Sequence, residues 1–306
     1  MNEDYPRTWL ELEQRFHDET DCLAYLQALR WPEGLRCPRC HSQRAWPMKN
    51  GLWLCQDCRH QNSVLAGTVF QDTKLPLATW FTAMWHVTSQ KNGVSALGLQ
   101  RVLGLGSYRT AWAMLHKLRR AMVRPGRDRL QGVVEVDETY WGGVETGGAT
   151  GRLTVRKVIV AVAAQQDGRG IGRIRLQCLP DVNRQTLHGF IGQTVEPGST
   201  VITDGFNAYR ELAGYNHIRA IQRRQTEGEH YLPRVHRVMS LLKRWLMGTH
   251  QGSVGREHLD DYLNEFTFRF NRRKSASRGK LFYRLAQQAV QVEPTPYASL
   301  VKNHKP

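Results

Sequence analysis

No part of this 306-residue chain stays apolar for long. Its longest aliphatic run is Val158 to Ala164, against the ~20 residues that cross a bilayer. Met1 to Trp9 is polar and acidic, without the basic-then-apolar order of a leader. A soluble, cytoplasmic protein is expected. Cysteine is scarce, with six in the whole chain, which argues against a disulfide scaffold. There is no internal repeat and no low-complexity tract. Acids are short as well: 27 Asp+Glu face 43 Lys+Arg, a formal charge of +16. That surplus, with Trp and Tyr interspersed, points to a polyanionic partner, most simply DNA. Hydrophobic residues still make up 41 %, which excludes wholesale disorder and allows about two domains.

Four stretches and a tail can be separated. Residues 1–31 carry helical apolar spacing, as in Trp9, Leu12, Phe16 and Leu23, Leu26, Leu29. Residues 32–72 hold four of the six cysteines and short strand-like pieces such as Leu52-Trp53-Leu54. Residues 73–127 are helical again, with turn signals at Asn92-Gly93 and Gly104 to Ser107. Residues 128–292 read as strands followed by helices, and 293–306 as a tail.

The cysteines are paired. Cys37-Pro38-Arg39-Cys40 and Cys55-Gln56-Asp57-Cys58 are 14 residues apart. Two CxxC knuckles joined by a hairpin suit tetrahedral zinc, and four thiolates leave no open position for catalysis. The zinc is therefore expected to be structural. Cys22 and Cys178 sit among apolar residues and are expected to be buried thiols.

Downstream, Gly93 to Met122 reads as helix, turn, helix, with Ser107 as N-cap of the second helix. That helix ends in Lys117, Arg119 and Arg120, and such a unit can enter a major groove with its cations on phosphates. Val133 to Glu138 is a strand with acids at its end, and Val158 to Ala164 and Ile171 to Leu179 are the next two. A helix through Leu187, Phe190 and Ile191 follows, then strand Thr200 to Thr203 tipped by Asp204, then a helix from Asn207 to Ala213. This is the order of an RNase H-like domain, in which the first and fourth strands are adjacent and parallel. Asp137 and Asp204 would then be neighbours, a pair suited to Mg²⁺ (or Mn²⁺) and in-line phosphoryl transfer.

Together, the cysteine ribbon, Ser63 to Thr68, Val136-Asp137-Glu138-Thr139-Tyr140-Trp141-Gly142-Gly143 and Thr203-Asp204-Gly205 resemble bacterial insertion-sequence transposases of the zinc-ribbon, ISXO2-like group. Ser240 to Arg244, His258-Leu259 and Tyr262 to Phe266 through Asn271-Arg272-Arg273 fit the same group. The resemblance implies a DDE-type catalytic domain in which Asp137 and Asp204 are the first two metal ligands. It aligns His236 with the third position, where many relatives carry Glu or Asn. His236, Ser240 and Lys243 share one helix face, Val235, Val238, Leu242 and Trp245 another. Lys243 would steady a DNA phosphate, and His236 would act as a weak ligand or orient water or DNA. Glu138 could supply the missing charge, although alternation along the strand turns it away.

The expected activity is binding and cleavage of element ends and joining of 3′-hydroxyls to target DNA. A homo-oligomer on double-stranded DNA, associated with the nucleoid, is expected. Phe268 to Arg284 carries seven cations and no acid, and is expected to track phosphates. The alternative is a zinc-ribbon DNA-binding regulator with an inert catalytic-like domain.

Overall fold

The computed structural model describes residues 3–48, 51–124, 126–142, 157–221 and 232–301. Gly143, the last residue of the motif that starts at Val136, lies outside them. The chain forms two compact units: residues 1–124 with 274–306, and residues 125–273.

In the first unit, α1 (Trp9–Arg15) and α2 (Glu19–Arg30) start where Thr8 and Asp18 accept the N–H groups of Glu11 and Asp21. A three-stranded antiparallel ribbon follows, β1 (Ala45–Pro47), β2 (Trp53–Cys55) and β3 (Gln61–Asn62). Then come α3 (Leu77–Ser89), α4 (Ala96–Val102) and α5 (Tyr108–Ala121). The core is aromatic: Phe16 meets Phe81 edge-on at 4.8 Å, and Tyr25 stacks on Phe282 at 6.2 Å. Phe282 belongs to α9 (Arg278–Ala289), which with α10 (Tyr297–Val301) returns to this unit. A Cβ on Gly279 would lie 1.6 Å from the Pro6 carbonyl oxygen, so only glycine lets the N-terminal segment cross α9 there. The sequence reading runs the catalytic domain to residue 292. In the structure α9 buries Leu281, Phe282, Leu285 and Ala286, and residues from 274 onward belong to the first unit.

The second unit is built on a mixed sheet of β4 (Val133–Trp141), β5 (Val158–Asp167), β6 (Gly170–Leu179), β7 (Thr200–Thr203) and β8 (Asn216–Arg219). Its order is β6-β5-β4-β7-β8, with β4, β7 and β8 parallel and β5 and β6 antiparallel. Between these strands lie α6 (Arg184–Thr194) and a 3-10 turn at Asn207–Tyr209, and after them α7 (Pro233–His250) and α8 (Leu259–Asn271). This is the RNase H-like fold.

The unbroken apolar run of β5 follows from burial on both faces. Val158, Val160, Val162 and Ala164 pack in one cluster with α7 and α8. Ala161 and Ala163 pack in the other, with α6 and Tyr209. β4 obeys the same alternation, with Val134 and Val136 on the α6 side and Trp141 on the α7 side.

One element differs from the sequence reading. The helix expected from Asn207 to Ala213 is a single 3-10 turn, and the chain goes straight into the edge strand β8. Glu211 and Gly214 adopt positive φ, +57° and +82°, which stops the helix.

Candidate metal and nucleic-acid sites

The four-cysteine cluster forms as the spacing predicts. All four sulfurs lie within 4.8 Å of one another, with Cys37 Sγ 3.6 Å from Cys58 Sγ and Cys40 Sγ 3.5 Å from Cys55 Sγ. A tetrahedron with Zn–S near 2.3 Å has sulfur–sulfur edges of about 3.8 Å, so the set fits zinc. The two knuckles repeat one geometry. His41 and Arg59, each following a second cysteine, take left-handed φ of +61° and +58°. Each donates its N–H back to the first cysteine carbonyl, His41 to Cys37 and Arg59 to Cys55. These turns aim backbone N–H groups at the sulfurs. The Cys58 N–H, outweighing burial and aided by that of Asp57, brings the Cys55 thiol down to about 6. Burial opposes ionisation of Cys37, yet the N–H groups of Cys40 and Arg39 hold that thiol below its ordinary range. Both therefore favour the thiolate a metal needs. The chain holds a structural zinc site.

Cys22 and Cys178 behave differently. Burial first, and then Glu19 and Asp18, push the Cys22 thiol up to about 12. Burial first, and then Asp260, push Cys178 up as well. Cys22 is buried as expected, whereas Cys178 is only half-buried; both thiols keep their protons.

The carboxylates converge at the ends of β4 and β7. The parallel register runs Val133 to Thr200, Val134 to Val201 and Glu135 to Ile202. Continued two residues past its last pair, this register brings Asp137 and Asp204 to the same end of the sheet. Asp137 Oδ1 accepts the Glu138 N–H at 2.8 Å, and its Oδ2 lies 3.3 Å from His236 Nε2 on α7. Asp204 Oδ1 accepts the Phe206 N–H at 2.9 Å, which closes the turn after β7. Asp137 is 14 % exposed and His236 40 %, so a half-open site joins them. Lys243 is exposed two turns farther along α7, and Val235, Val238, Leu242 and Trp245 are buried as the helical pattern predicts.

Glu138 faces the opposite side of the sheet. It is buried, and its Oε2 accepts the Tyr209 hydroxyl at 2.8 Å. Burial first, then Glu138, and then Asp137 and Asp204 push that hydroxyl well above the ordinary tyrosine range. Tyr209 thus keeps its proton and donates it to Glu138, a partner that sequence reasoning missed. Glu135 was missed too: it is 2 % exposed and takes three hydrogen bonds from the start of α7. An acid two residues before Asp137, set between the strand valines Val134 and Val136, was the available signal.

The helix-turn-helix is present as α4 and α5, with Gly104 at φ +62° in the turn. Ser107 is the N-cap of α5 by position but makes no capping hydrogen bond there. The cations at the end of α5 are not all available to phosphates, because Arg119 is 1 % exposed beside His116. The exposed residues lie toward the other end of α5, at Tyr108 and Arg109, and on α4, at Leu97, Arg101 and Val102.

The basic segment from Phe268 also departs from expectation. Arg273 donates to the Ile171, Gly172 and Phe270 carbonyls and lies over the Phe270 ring. Arg272 donates to Phe268 O and lies 3.8 Å over its ring, while Lys280 and Arg284 pair with Glu3. Carbonyl-rich turns and a single acid hold these cations to the protein, so much of this charge is structural.

Residues 129–271 match the ISXO2-like transposase domain, and residues 17–61 match the transposase zinc-ribbon domain. The ribbon match thus begins at His17, just before α2 and upstream of the cysteines. An uncharacterized protein in transposable element ISH50 of Halobacterium salinarum is 26 % identical over 280 residues, covering 83 % of this chain and 91 % of that protein. Among solved structures, a chain of the simian T-cell lymphotropic virus intasome in complex with PP2A regulatory subunit B56 gamma aligns with 55 % of this chain and 63 % of its own. That alignment has 12 % identity and a TM-score of 0.29. Among the described residues, no helix is long and apolar enough to cross a membrane.

Proposed function

From the premise that this chain belongs to the ISXO2-like transposase family, we propose that it binds the ends of an insertion sequence, cleaves them and joins the 3′-hydroxyls to target DNA. The observation that supports the reading is the parallel pairing of β4 with β7, whose register runs toward Asp137 and Asp204 at one end of the sheet, with His236 Nε2 3.3 Å from Asp137 Oδ2. Two carboxylates and an imidazole form a donor set that Mg²⁺ or Mn²⁺ can occupy, the carboxylates as the principal ligands. Bound there, the cation supplies Lewis-acid stabilisation of an in-line phosphoryl transfer. Asp137, on the inner strand β4, and Asp204, at the C-terminal end of the inner strand β7, hold the site's negative charge. His236 completes the set or orients the attacking hydroxyl, and Lys243 holds a phosphate farther along α7. Glu138, bonded to Tyr209, takes no part as a ligand.

His236 is the residue to test individually. His236→Glu will preserve or raise the joining rate and His236→Ala will lower it. An unchanged rate in His236→Ala removes it from the site.

DNA recognition belongs to the turn before α5 and the first residues of that helix. No acid interrupts the chain between Asp72 and Asp128, and Arg101 and Arg109 are both exposed there. Arg101→Ala and Arg109→Ala will each lower the salt slope of DNA binding by about 0.9, the contribution of one phosphate contact. Arg119→Ala will leave that slope unchanged and lower the thermal midpoint instead, because Arg119 is buried. Two slopes changing the other way round would reassign the DNA-facing end of α5.

Joining two ends calls for more than one protomer, so a homo-oligomer on cytoplasmic, nucleoid-borne DNA is part of the proposal. His236 in place of an acid favours a second reading, a regulator that binds DNA without cutting it. Product analysis separates them: joined strands support a transposase, hydrolysis without joining a nuclease, and binding alone a regulator.

A further inference from the structure

We propose that Glu135 is a positioning residue that locks the start of α7 onto β4 and so sets His236 against Asp137. The inference rests on reading Asp137, Asp204 and His236 as the metal site. Glu135 is 2 % exposed, and a buried carboxylate is retained only with partners. It has three. Its Oε2 accepts the backbone N–H of Arg234 at 2.7 Å and of Val235 at 3.0 Å, and its Oε1 accepts Arg234 Nη1 at 2.7 Å. Those two N–H groups belong to the first turn of α7, where a helix lacks internal acceptors. The helix has no side-chain cap of its own: Leu232 stands at the N-cap and Pro233 at the first position. A carboxylate from the sheet therefore replaces the missing cap and meets the positive end of the helix dipole.

The geometry ties this contact to the site. Glu135 and Asp137 are two apart on one strand and share its face. Val235 and His236 are consecutive on α7, so the bond to the Val235 N–H fixes the helix one residue from the imidazole. Arg234 adds a second tether, from its Nε to the Gly170 carbonyl at 3.2 Å. Free of these bonds, α7 could rotate or slide on its apolar face while keeping its core contacts. His236 would then leave Asp137.

Glu135→Gln tests this with little change of shape. The amide oxygen can keep one N–H partner, but the charge facing Arg234 and the helix terminus is lost. The full chain, wild type and variant, would be titrated with Mn²⁺ and binding followed by electron paramagnetic resonance. Far-UV circular dichroism and the thermal midpoint report folding. The expected result is a folded Glu135→Gln protein whose Mn²⁺ affinity falls by about 10–100-fold, the range typical of groups that orient metal ligands. In the joining assay the half-maximal Mg²⁺ concentration shifts upward by a similar factor, whereas DNA affinity is unchanged. A merely structural role would lower the amount of active protein without moving either metal midpoint. Arg234→Lys, which keeps the charge and the backbone donors, is expected to lie between wild type and Glu135→Gln.

Equal Mn²⁺ affinity in wild type and folded Glu135→Gln overturns the positioning role and leaves the metal site standing. A wild-type protein that binds no Mn²⁺ overturns both.

Discussion

Cys37→Ser will cost the chain its zinc and, with it, the folded ribbon. Between Arg36 and Asn62 the buried described residues are Cys37, Cys55 and Asn62 alone, so there is no apolar core to hold β1–β3 together. Trp46, the largest side chain of β1, is 46 % exposed. In such a segment metal binding and folding are one event. Zinc content will fall from one per chain to near zero, and amides from residue 37 to 62 will exchange freely with solvent. Specific DNA binding will weaken at the same time if the ribbon helps to grip the element end. A strong chelator will do the same to the wild type. Acid will too, because protons compete with zinc for the four thiolates and metal release unfolds the ribbon. Full zinc occupancy in Cys37→Ser would count against the four-cysteine site.

Asp204→Asn will abolish joining without disturbing the fold. Asp204 Oδ1 accepts the Phe206 N–H at 2.9 Å, and an asparagine oxygen can accept it equally. The turn after β7 survives, and the thermal midpoint should stay near wild type. What changes is one negative charge at the proposed metal site. Metal stabilisation of the transferring phosphoryl group amounts to several kcal/mol, and each ~1.4 kcal/mol is tenfold in rate. A loss of about 10³-fold or more in joining is therefore expected, with DNA affinity close to wild type. Joining within tenfold of wild type would exclude Asp204 as a ligand.

Much of this was legible in the sequence for physical reasons. The two CxxC pairs carry their own geometry, because ligand spacing fixes how the knuckles close. β5 was legible because a strand buried on both faces is apolar throughout, and β7 because four β-formers end in Asp204-Gly205. The parallel pairing of β4 with β7 followed from the order of elements, which is that of an RNase H-like domain.

What the sequence hid was set by tertiary contacts. β8 has no apolar alternation to announce it: Asn216-His217-Ile218-Arg219 is an edge strand, with Ile218 46 % exposed. Its place in the sheet comes from pairing with β7. α9 looks like a continuation of the catalytic domain, but Phe282 belongs to an aromatic cluster made by α2 and α3, which only folding reveals. Arg119, Arg272 and Arg273 are charged in any sequence reading, and only the structure gives them carbonyl, ring and histidine neighbours. The roles of Glu135 and Glu138 were invisible for the same reason. A strand's alternation assigns a side chain to a face, and the partner waiting on that face comes from elsewhere in the chain.

The central claim is that Asp137 stands at the centre of a site that joins DNA. The most direct measurement incubates the full-length protein and Mg²⁺ with DNA carrying the sequences that flank its reading frame, comparing wild type with Asp137→Ala. The account predicts joined strands from the wild type and none from Asp137→Ala, with both proteins folded and bound to the DNA. Tight binding by both with no cleavage by either would contradict it and leave a DNA-binding regulator.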